Sequence, residues 1–221
     1  KSKLLSFLIL LGLFLSGSRN SIIAVVVSMV YFIHAYSKKN KPLVFISSLT
    51  LILVLYLVID TLSKHFFQTY GRAESISSLG GRTDIWPYAW QLIMDKPFFG
   101  YGFGVEERLF QLKYLVFAKR NYYAHNSYLG MLLQLGIFGF IIFYAPIFIL
   151  LFKELFSRQD SGTSLLRYAL RASVIAGLVS CVFESWVYSV GNAQSFPFWI
   201  IIMLLVFCHY RDKEKMVPEG N

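Results

Sequence analysis

YLGMLLQLGIFGFIIFYAPIFILLF, residues 128–152, runs without one charged side chain. As a single helix it would be roughly 37 Å long, more than the ~30 Å hydrocarbon core of a bilayer. A surface helix of a soluble protein needs a polar face, and this stretch offers little beyond Gln134 and two tyrosines. Five more apolar stretches flank it, at 4–17, 21–37, 43–59, 168–188 and 196–210. The stretch at 168–188 is long enough to cross. Those at 21–37 and 43–59 sit at the lower edge of the ~17–25 residues a crossing takes, and the first and last are short. Charged residues make up only 15% of the chain, against roughly 25% in soluble domains, and mean hydropathy is +0.56. A soluble domain, disorder, collagen, a coiled coil and a disulfide scaffold are excluded. The expected fold class is all-α: a polytopic helical membrane protein with about six transmembrane helices and a long outer loop. The division is 1–59 (three transmembrane helices), 60–127 (outer-face loop with interfacial helices), 128–210 (three transmembrane helices) and 211–221 (cytoplasmic tail).

Position 1 is Lys, and a strong apolar run begins at Leu4. Lys1-Ser2-Lys3 followed by that run imitates a signal peptide, but with this many further spans a fragment of a longer chain is the better expectation. Orientation follows from the basic residues of the short loops. With a cytoplasmic N-terminus, the inner side holds Lys1, Lys3, Lys38, Lys39, Lys41, Lys153, Arg158, Arg167, Arg171, Arg211, Lys213 and Lys215, whereas the outer turns 18–20 and 189–195 hold only Arg19. The segment 60–127 then faces outward. This asymmetry, with attraction to anionic lipid, explains the net charge of +9 better than nucleic acid does. Cys181 and Cys208 lie in different apolar stretches with no metal-ligand spacing, so neither a disulfide nor a metal site is indicated.

Chemistry is expected in the outer segment, since so long a loop between membrane helices is seldom passive. Ser75 to Gly81 reads as a flexible turn. A helix should follow, capped by Thr83 or Asp84, with Pro87 in its first turn and Pro97 beyond its end. Trp86, Trp90 and Ile93 or Met94 would share a face suited to the membrane interface. Phe98 to Gly104 is a glycine-punctuated aromatic turn. Its GxGxG spacing lacks the strand and the Lys-Ser/Thr of a nucleotide loop, so tight turns at positive φ are the expectation. A second amphipathic segment, 105–120, leads to His125.

Charges at the membrane are expensive and therefore functional candidates. Arg19 separates two apolar runs, with a surface arginine at a hairpin as the alternative. Arg82 precedes the loop helix, alternatively as a solvated loop charge. His125 enters the long apolar stretch among Tyr123, Asn126 and Tyr128, where a structural interfacial histidine is the alternative. Glu184 lies near Trp186 and Tyr188 and either pairs with an arginine or snorkels to the outer interface. His34, His65 and His209 are set aside. Two guanidiniums can hold a diphosphate by bidentate hydrogen bonds, and a neutral imidazole can take a hydroxyl proton. Arg19, Arg82 and His125 at one membrane boundary therefore fit transfer from a lipid diphosphate to an alcohol.

Four pieces carry a family resemblance: Ser18-Arg19-Asn20-Ser21, Gly81-Arg82-Thr83-Asp84-Ile85-Trp86, Pro97-Phe98-Phe99-Gly100-Tyr101-Gly102, and His125-Asn126-Ser127-Tyr128-Leu129 with Leu135-Gly136-Ile137-Phe138-Gly139. In this order, over roughly 15–145, the chain resembles the O-antigen ligase and polymerase family of bacterial envelope proteins. The resemblance implies a GT-C-like membrane fold of about a dozen helices, in the cytoplasmic (inner) membrane, with the active site on the outer face. It implies an inverting glycosyltransferase that needs no metal or cofactor and uses an undecaprenyl-diphosphate-linked glycan as donor. The acceptor would be lipid A–core for a ligase and another glycan repeat for a polymerase, with room for a chain-length regulator as a further partner. Arg19 and Arg82 would hold the diphosphate, and His125 would position or deprotonate the acceptor, supported by Glu184, Asn126 and Tyr128. Two features depart from the pattern. Asn20 stands where a small residue, often Gly, follows the family's arginine, and six spans are about half the family's number, so the N-terminal half is expected to be missing. The competing reading is a transporter or flippase component for an anionic glycolipid. Such a protein should bind its cargo near the bilayer midplane, whereas these groups gather at one interface. A non-catalytic scaffold using the aromatic loop is the third reading.

Overall fold

The computed structural model describes residues 4, 11–12, 18–36, 82–113, 123–156, 164–189 and 191–214. Among these residues all regular structure is helical: α1 (Arg19–Tyr36), α2 (Arg82–Asp95), α3 (Glu106–Lys113), α4 (Ser127–Phe156), α5 (Leu165–Ser180) and α6 (Ser195–Glu214). The expected spans 43–59 and most of 4–17, the turn at 75–81 and the end of the second amphipathic segment lie outside the described residues, as does the tail beyond 214.

Helix α1 starts where Ser18 offers its side-chain oxygen to the Ser21 amide at 3.4 Å, the task of an N-cap. Asn20, Ala24 and Ser28 follow at four-residue spacing and are buried. Small side chains in such a row let helix backbones approach closely, and α1 lies along α5, whose Ala172 is also buried. The pairing is antiparallel. Tyr36, at the end of α1, meets Tyr168 near the start of α5, with ring centroids 6.2 Å apart, and Tyr31 interacts with Arg171 one turn further along α5. The start of α1 therefore lies at the end of α5.

Helix α4 is the one described helix long and apolar enough to cross a membrane; Asn20–Tyr36 and Ser195–Arg211 are shorter apolar helices. Only 22% of its most apolar window is buried among the described residues. It is also broken. Gly136 has φ 63° and ψ −168°, a conformation essentially reserved for glycine. Before the break, Ser127, Gly130, Met131, Leu133 and Gln134 are buried in protein; after it, Ile141, Ile142, Ile149, Phe152 and Phe156 are exposed. The part after the break, at about 1.5 Å per residue, still measures roughly 30 Å, one bilayer core.

The break frees backbone groups, and the glycine-punctuated turn satisfies them. Tyr101 and Gly102 amides donate to the Leu133 and Gln134 carbonyls at 3.1 and 2.8 Å. The amides of Ile137 and Phe138, beyond the break, donate to the carbonyls of Pro97 and Phe98 at 2.8 and 3.3 Å. Gly100, Gly102 and Gly104 take φ of 64°, 111° and 78°, matching the positive-φ expectation. A Cβ on Gly100 would lie 2.5 Å from the backbone of Gln134, and one on Gly136 would lie 2.3 Å from that of Phe98. Glycine on both strands is what permits this crossing. Irregular backbone at membrane depth is tolerated only where protein satisfies it in this way.

Two expectations need correction. The apolar stretch 168–188 is not one helix: α5 ends at Ser180, and residues 181–189 form turns and extended backbone. The reason is competition for backbone groups, because Ser127 at the head of α4 engages the Cys181 carbonyl through its amide and the Glu184 carbonyl through its hydroxyl. Nor do the tryptophans of α2 share an outward face. Ile85, Ala89, Leu92 and Ile93 form the buried stripe, packed with Phe110, Ala124 and Leu133, and Trp86 turns inward, leaving Trp90 and Met94 exposed. Pro87 falls inside the helix instead of in its first turn. A second core joins α4, α5 and α6 through Tyr144, Val174, Trp186, Phe198 and Leu205.

Candidate functional site

The site is built on five residues, 123–127, that enter α4. Asn126 caps the helix, its side-chain oxygen accepting the Tyr128 and Leu129 amides at 2.9 and 3.1 Å. The residues around His125 are held from three directions. The Ala124 amide donates to Glu106 Oε1 at 2.6 Å, and the Ala124 carbonyl accepts the Trp86 indole N–H at 2.9 Å. The Asn126 amide donates to Ser185 Oγ at 3.0 Å, and the Ser127 amide to the Cys181 carbonyl at 2.7 Å. Ser127 Oγ accepts the Trp186 amide at 3.2 Å, and the Tyr128 hydroxyl donates to the Leu178 carbonyl at 2.7 Å.

Within this clamp His125 adopts φ 47°, the one positive-φ non-glycine among the described residues. A left-handed residue of this kind costs about 1–2 kcal/mol and persists only where its surroundings over-determine it. The imidazole Nδ1 stands 3.7 Å from Glu184 Oε2, with both side chains about two-fifths exposed (43% and 39%). That is ion-pair range and slightly long for a hydrogen bond. A carboxylate on that side favours the proton on Nδ1, which makes Nε2 the nitrogen able to take a proton from a hydroxyl. The Tyr123 ring stands edge-on to the imidazole at 6.4 Å. Its hydroxyl bonds the Glu107 carboxylate, which, with some burial, holds the phenol protonated to a pKa of about 12.

The structure brings His125 and Glu184 together, with Asn126 next to His125 as the helix cap, whereas the Tyr128 side chain turns to the Leu178 carbonyl and the Phe140 and Tyr144 rings. Arg19 and Arg82 are each the first residue of a helix, and their side chains lie outside the described residues. Arg82 begins the turn that leads into Trp86, whose indole holds Ala124. The antiparallel pairing of α1 with α5 sets Arg19 at the end from which residues 181–189 depart. Among the described residues no group of His, Cys, Asp or Glu could hold a metal ion.

Sequence reasoning missed three contributors. Glu106 looks like half of a solvated acidic pair but is only 4% exposed, and burial pushes its carboxyl above the ordinary range. Ser185 offers no sequence signal. Glu154 lies just past the apolar run 128–152, at the opposite end of α4 from His125, and is fully buried. It binds Arg167 at 2.6 and 2.8 Å, Arg171 at 2.9 Å and His209 Nδ1 at 2.5 Å. Its acidity inside a basic inner rim was the available clue. Arg171 and His209, in sequence a topological charge and a bystander, join α5 and α6 to α4 through this carboxylate.

Compared with known proteins, the chain is matched by the family model for O-antigen ligase over residues 4–144. A relative described as "ComP-specific O-oligosaccharyltransferase", from Acinetobacter baylyi (strain ATCC 33305 / BD413 / ADP1), is 28% identical over 190 residues, which are 82% of this chain and 33% of the relative. The chain thus spans about a third of that relative's length. No solved structure matches the chain. The matched region covers more than half of the chain and includes Arg19, Arg82, the glycine turn, His125 and the break at Gly136: the chain belongs to the O-antigen ligase family.

Proposed function

We propose that this chain carries the catalytic part of a polytopic inner-membrane glycosyltransferase. It moves a glycan from undecaprenyl diphosphate to an acceptor hydroxyl at the outer face of the membrane. The observation that carries the reading is His125, pinned in a left-handed conformation with a carboxylate at Nδ1. In the reaction the acceptor O–H gives its proton to His125 Nε2 as its oxygen attacks the anomeric carbon. The bond from that carbon to the diphosphate oxygen breaks, and the configuration inverts. Arg19 and Arg82 stabilise the charge on the leaving diphosphate, for which the planar guanidinium suits better than an ammonium. Glu184 steadies the imidazolium, while Asn126 caps the head of α4 and Tyr128 ties that head to the end of α5. Family membership supports glycan transfer, and the relative's printed name, an O-oligosaccharyltransferase, supports an oxygen atom as the acceptor.

The test uses the full-length protein in its own deletion strain. Arg19→Ala, Arg82→Ala, Arg82→Lys and His125→Ala are compared with wild type by the ladder of surface glycan, with membrane levels checked by immunoblot. Loss of transferred glycan at normal protein level, with undecaprenyl-linked glycan accumulating on the outer face, is the expected result. Long accumulated chains then indicate a ligase, and single repeats a polymerase. Accumulation on the inner face instead would favour the flippase reading. A normal ladder in every variant would remove the site.

A further inference from the structure

Glu106 is a buried acid, and burying a carboxylate is costly unless its oxygens are well satisfied. Its partners fix what position 106 must present. Oε1 faces the Ala124 amide, which can only donate. Oε2 faces Gln134 Nε2 at 3.3 Å and the Tyr188 hydroxyl at 3.4 Å. The Gln134 amide cannot turn over, because its Oε1 already accepts the Gly104 N–H at 2.6 Å. Gln134 therefore shows Glu106 its NH2 group, and both oxygens of Glu106 must accept.

This small network touches every irregular piece of the site. Gly104 ends the glycine turn, Gln134 sits just before the break of α4, Tyr188 belongs to the segment after α5, and Ala124 immediately precedes His125. We propose, on the transferase reading above, that Glu106 and Gln134 form a donor–acceptor lock that positions His125 for proton transfer without touching substrate. Glu106→Gln would turn an NH2 group onto the NH2 of Gln134 and push the Tyr123–Ala124 peptide, and His125 after it, out of place. Combining it with Gln134→Glu, which exchanges the two side chains, repairs this. The amide brought to the α3 position would accept from Ala124 and donate to the carboxylate brought to the α4 position, which would still accept from Gly104.

The experiment uses the full-length protein in nanodiscs, with the lipid-linked glycan extracted from the deletion strain as donor probe. Glu106→Gln should lower kcat about 10–100-fold, the scale of a small misplacement of a catalytic group, with donor KM within about twofold. Gln134→Glu, which sets two carboxylates together, should also lose kcat. The double exchange should recover kcat to within about threefold of wild type. A merely structural role would not give a loss confined to kcat that reverses on exchange. Should Glu106→Gln fail to accumulate, the double exchange decides, and recovery of both level and kcat supports the lock. A double variant that fails to accumulate, or that accumulates without kcat, overturns it, as does wild-type kcat in Glu106→Gln. His125→Ala, run beside these, separates the two ideas. If it stays active, His125 is not the base and the lock has nothing to position; if it is dead while Glu106→Gln is normal, only the lock has failed.

Discussion

Replacing Gly136 by Ala should be among the most damaging single changes in the chain, although it adds one methyl group far in sequence from the loop it strikes. At φ 63° and ψ −168° any side chain is strained by about 1–3 kcal/mol. The new Cβ would lie 2.3 Å from the Phe98 carbonyl carbon and oxygen and 2.5 Å from the Phe99 nitrogen. These are backbone atoms that cannot rotate away, so the turn must lift off the helix. Lifting it breaks four backbone hydrogen bonds, from Tyr101, Gly102, Ile137 and Phe138. With each worth about 0.5–1.5 kcal/mol net, the loss together with the strain comes to about 3–9 kcal/mol, a large part of a typical folding free energy. Gly104→Ala is the control. It has φ 78° but nothing within 4 Å of its built Cβ, so only about 1–2 kcal/mol of strain applies. Thermal unfolding in detergent, followed by size-exclusion fluorescence, should show Gly136→Ala at least about 10 °C below wild type, or absent from the membrane, and Gly104→Ala only a few degrees lower. Equal midpoints for Gly136→Ala and wild type would refute the paired-glycine crossing.

Other outcomes follow from single contacts. Trp86→Phe removes the N–H that holds the Ala124 carbonyl at 2.9 Å, and should cost about 1 kcal/mol of stability while reducing transfer in the ladder assay more than it reduces membrane level. Glu154→Ala leaves the buried Arg171 and the partly buried Arg167 without this carboxylate, and should destabilise by about 3–5 kcal/mol, read as a shortened half-life of the protein in membranes. Burial raises the Glu106 pKa above its unfolded value. Its contribution to stability is therefore full below the unfolded pKa of about 4.3 and lost as pH rises through the folded one. Glu106→Gln should flatten that fall in a series of melting points against pH, whereas wild-type transfer, which needs the carboxylate ionised, should drop as pH falls through the same window.

Much of the helical framework was legible because it depends on local signals. Ser18 and Asn126 cap their helices as side chains of their type do, and apolar runs mark α1, α4 and α6. The positive φ of Gly100, Gly102 and Gly104 could be read from their spacing, but the reason for it could not. Their partner is Gly136, and a break made by a loop more than thirty positions away leaves no periodic trace. The same holds for 181–189, where apolar composition argues for more helix and the head of α4 overrides it. On α2 the aromatic pattern pointed outward, while the spacing of Ile85, Ala89, Leu92 and Ile93 marks the buried stripe. At the site, His125 with Tyr123, Asn126 and Tyr128 was visible as a polar cluster against an apolar background, whereas Glu184, read as a partner for an arginine or as snorkelling, lies at ion-pair distance from His125, which its sequence position does not reveal. Glu106 and Glu154 escaped because an acid beside other charges reads as solvated until its burial is known.

The central claim is that His125 takes the proton of the acceptor hydroxyl. Its most direct test is the single-turnover rate of glycan transfer by His125→Ala in nanodiscs, with the accumulated lipid-linked glycan bound beforehand. Loss of a positioned general base predicts a rate about 10²–10⁴-fold below wild type, with the donor still bound and the protein melting normally. A rate within about threefold of wild type would contradict the assignment and move the base to another residue.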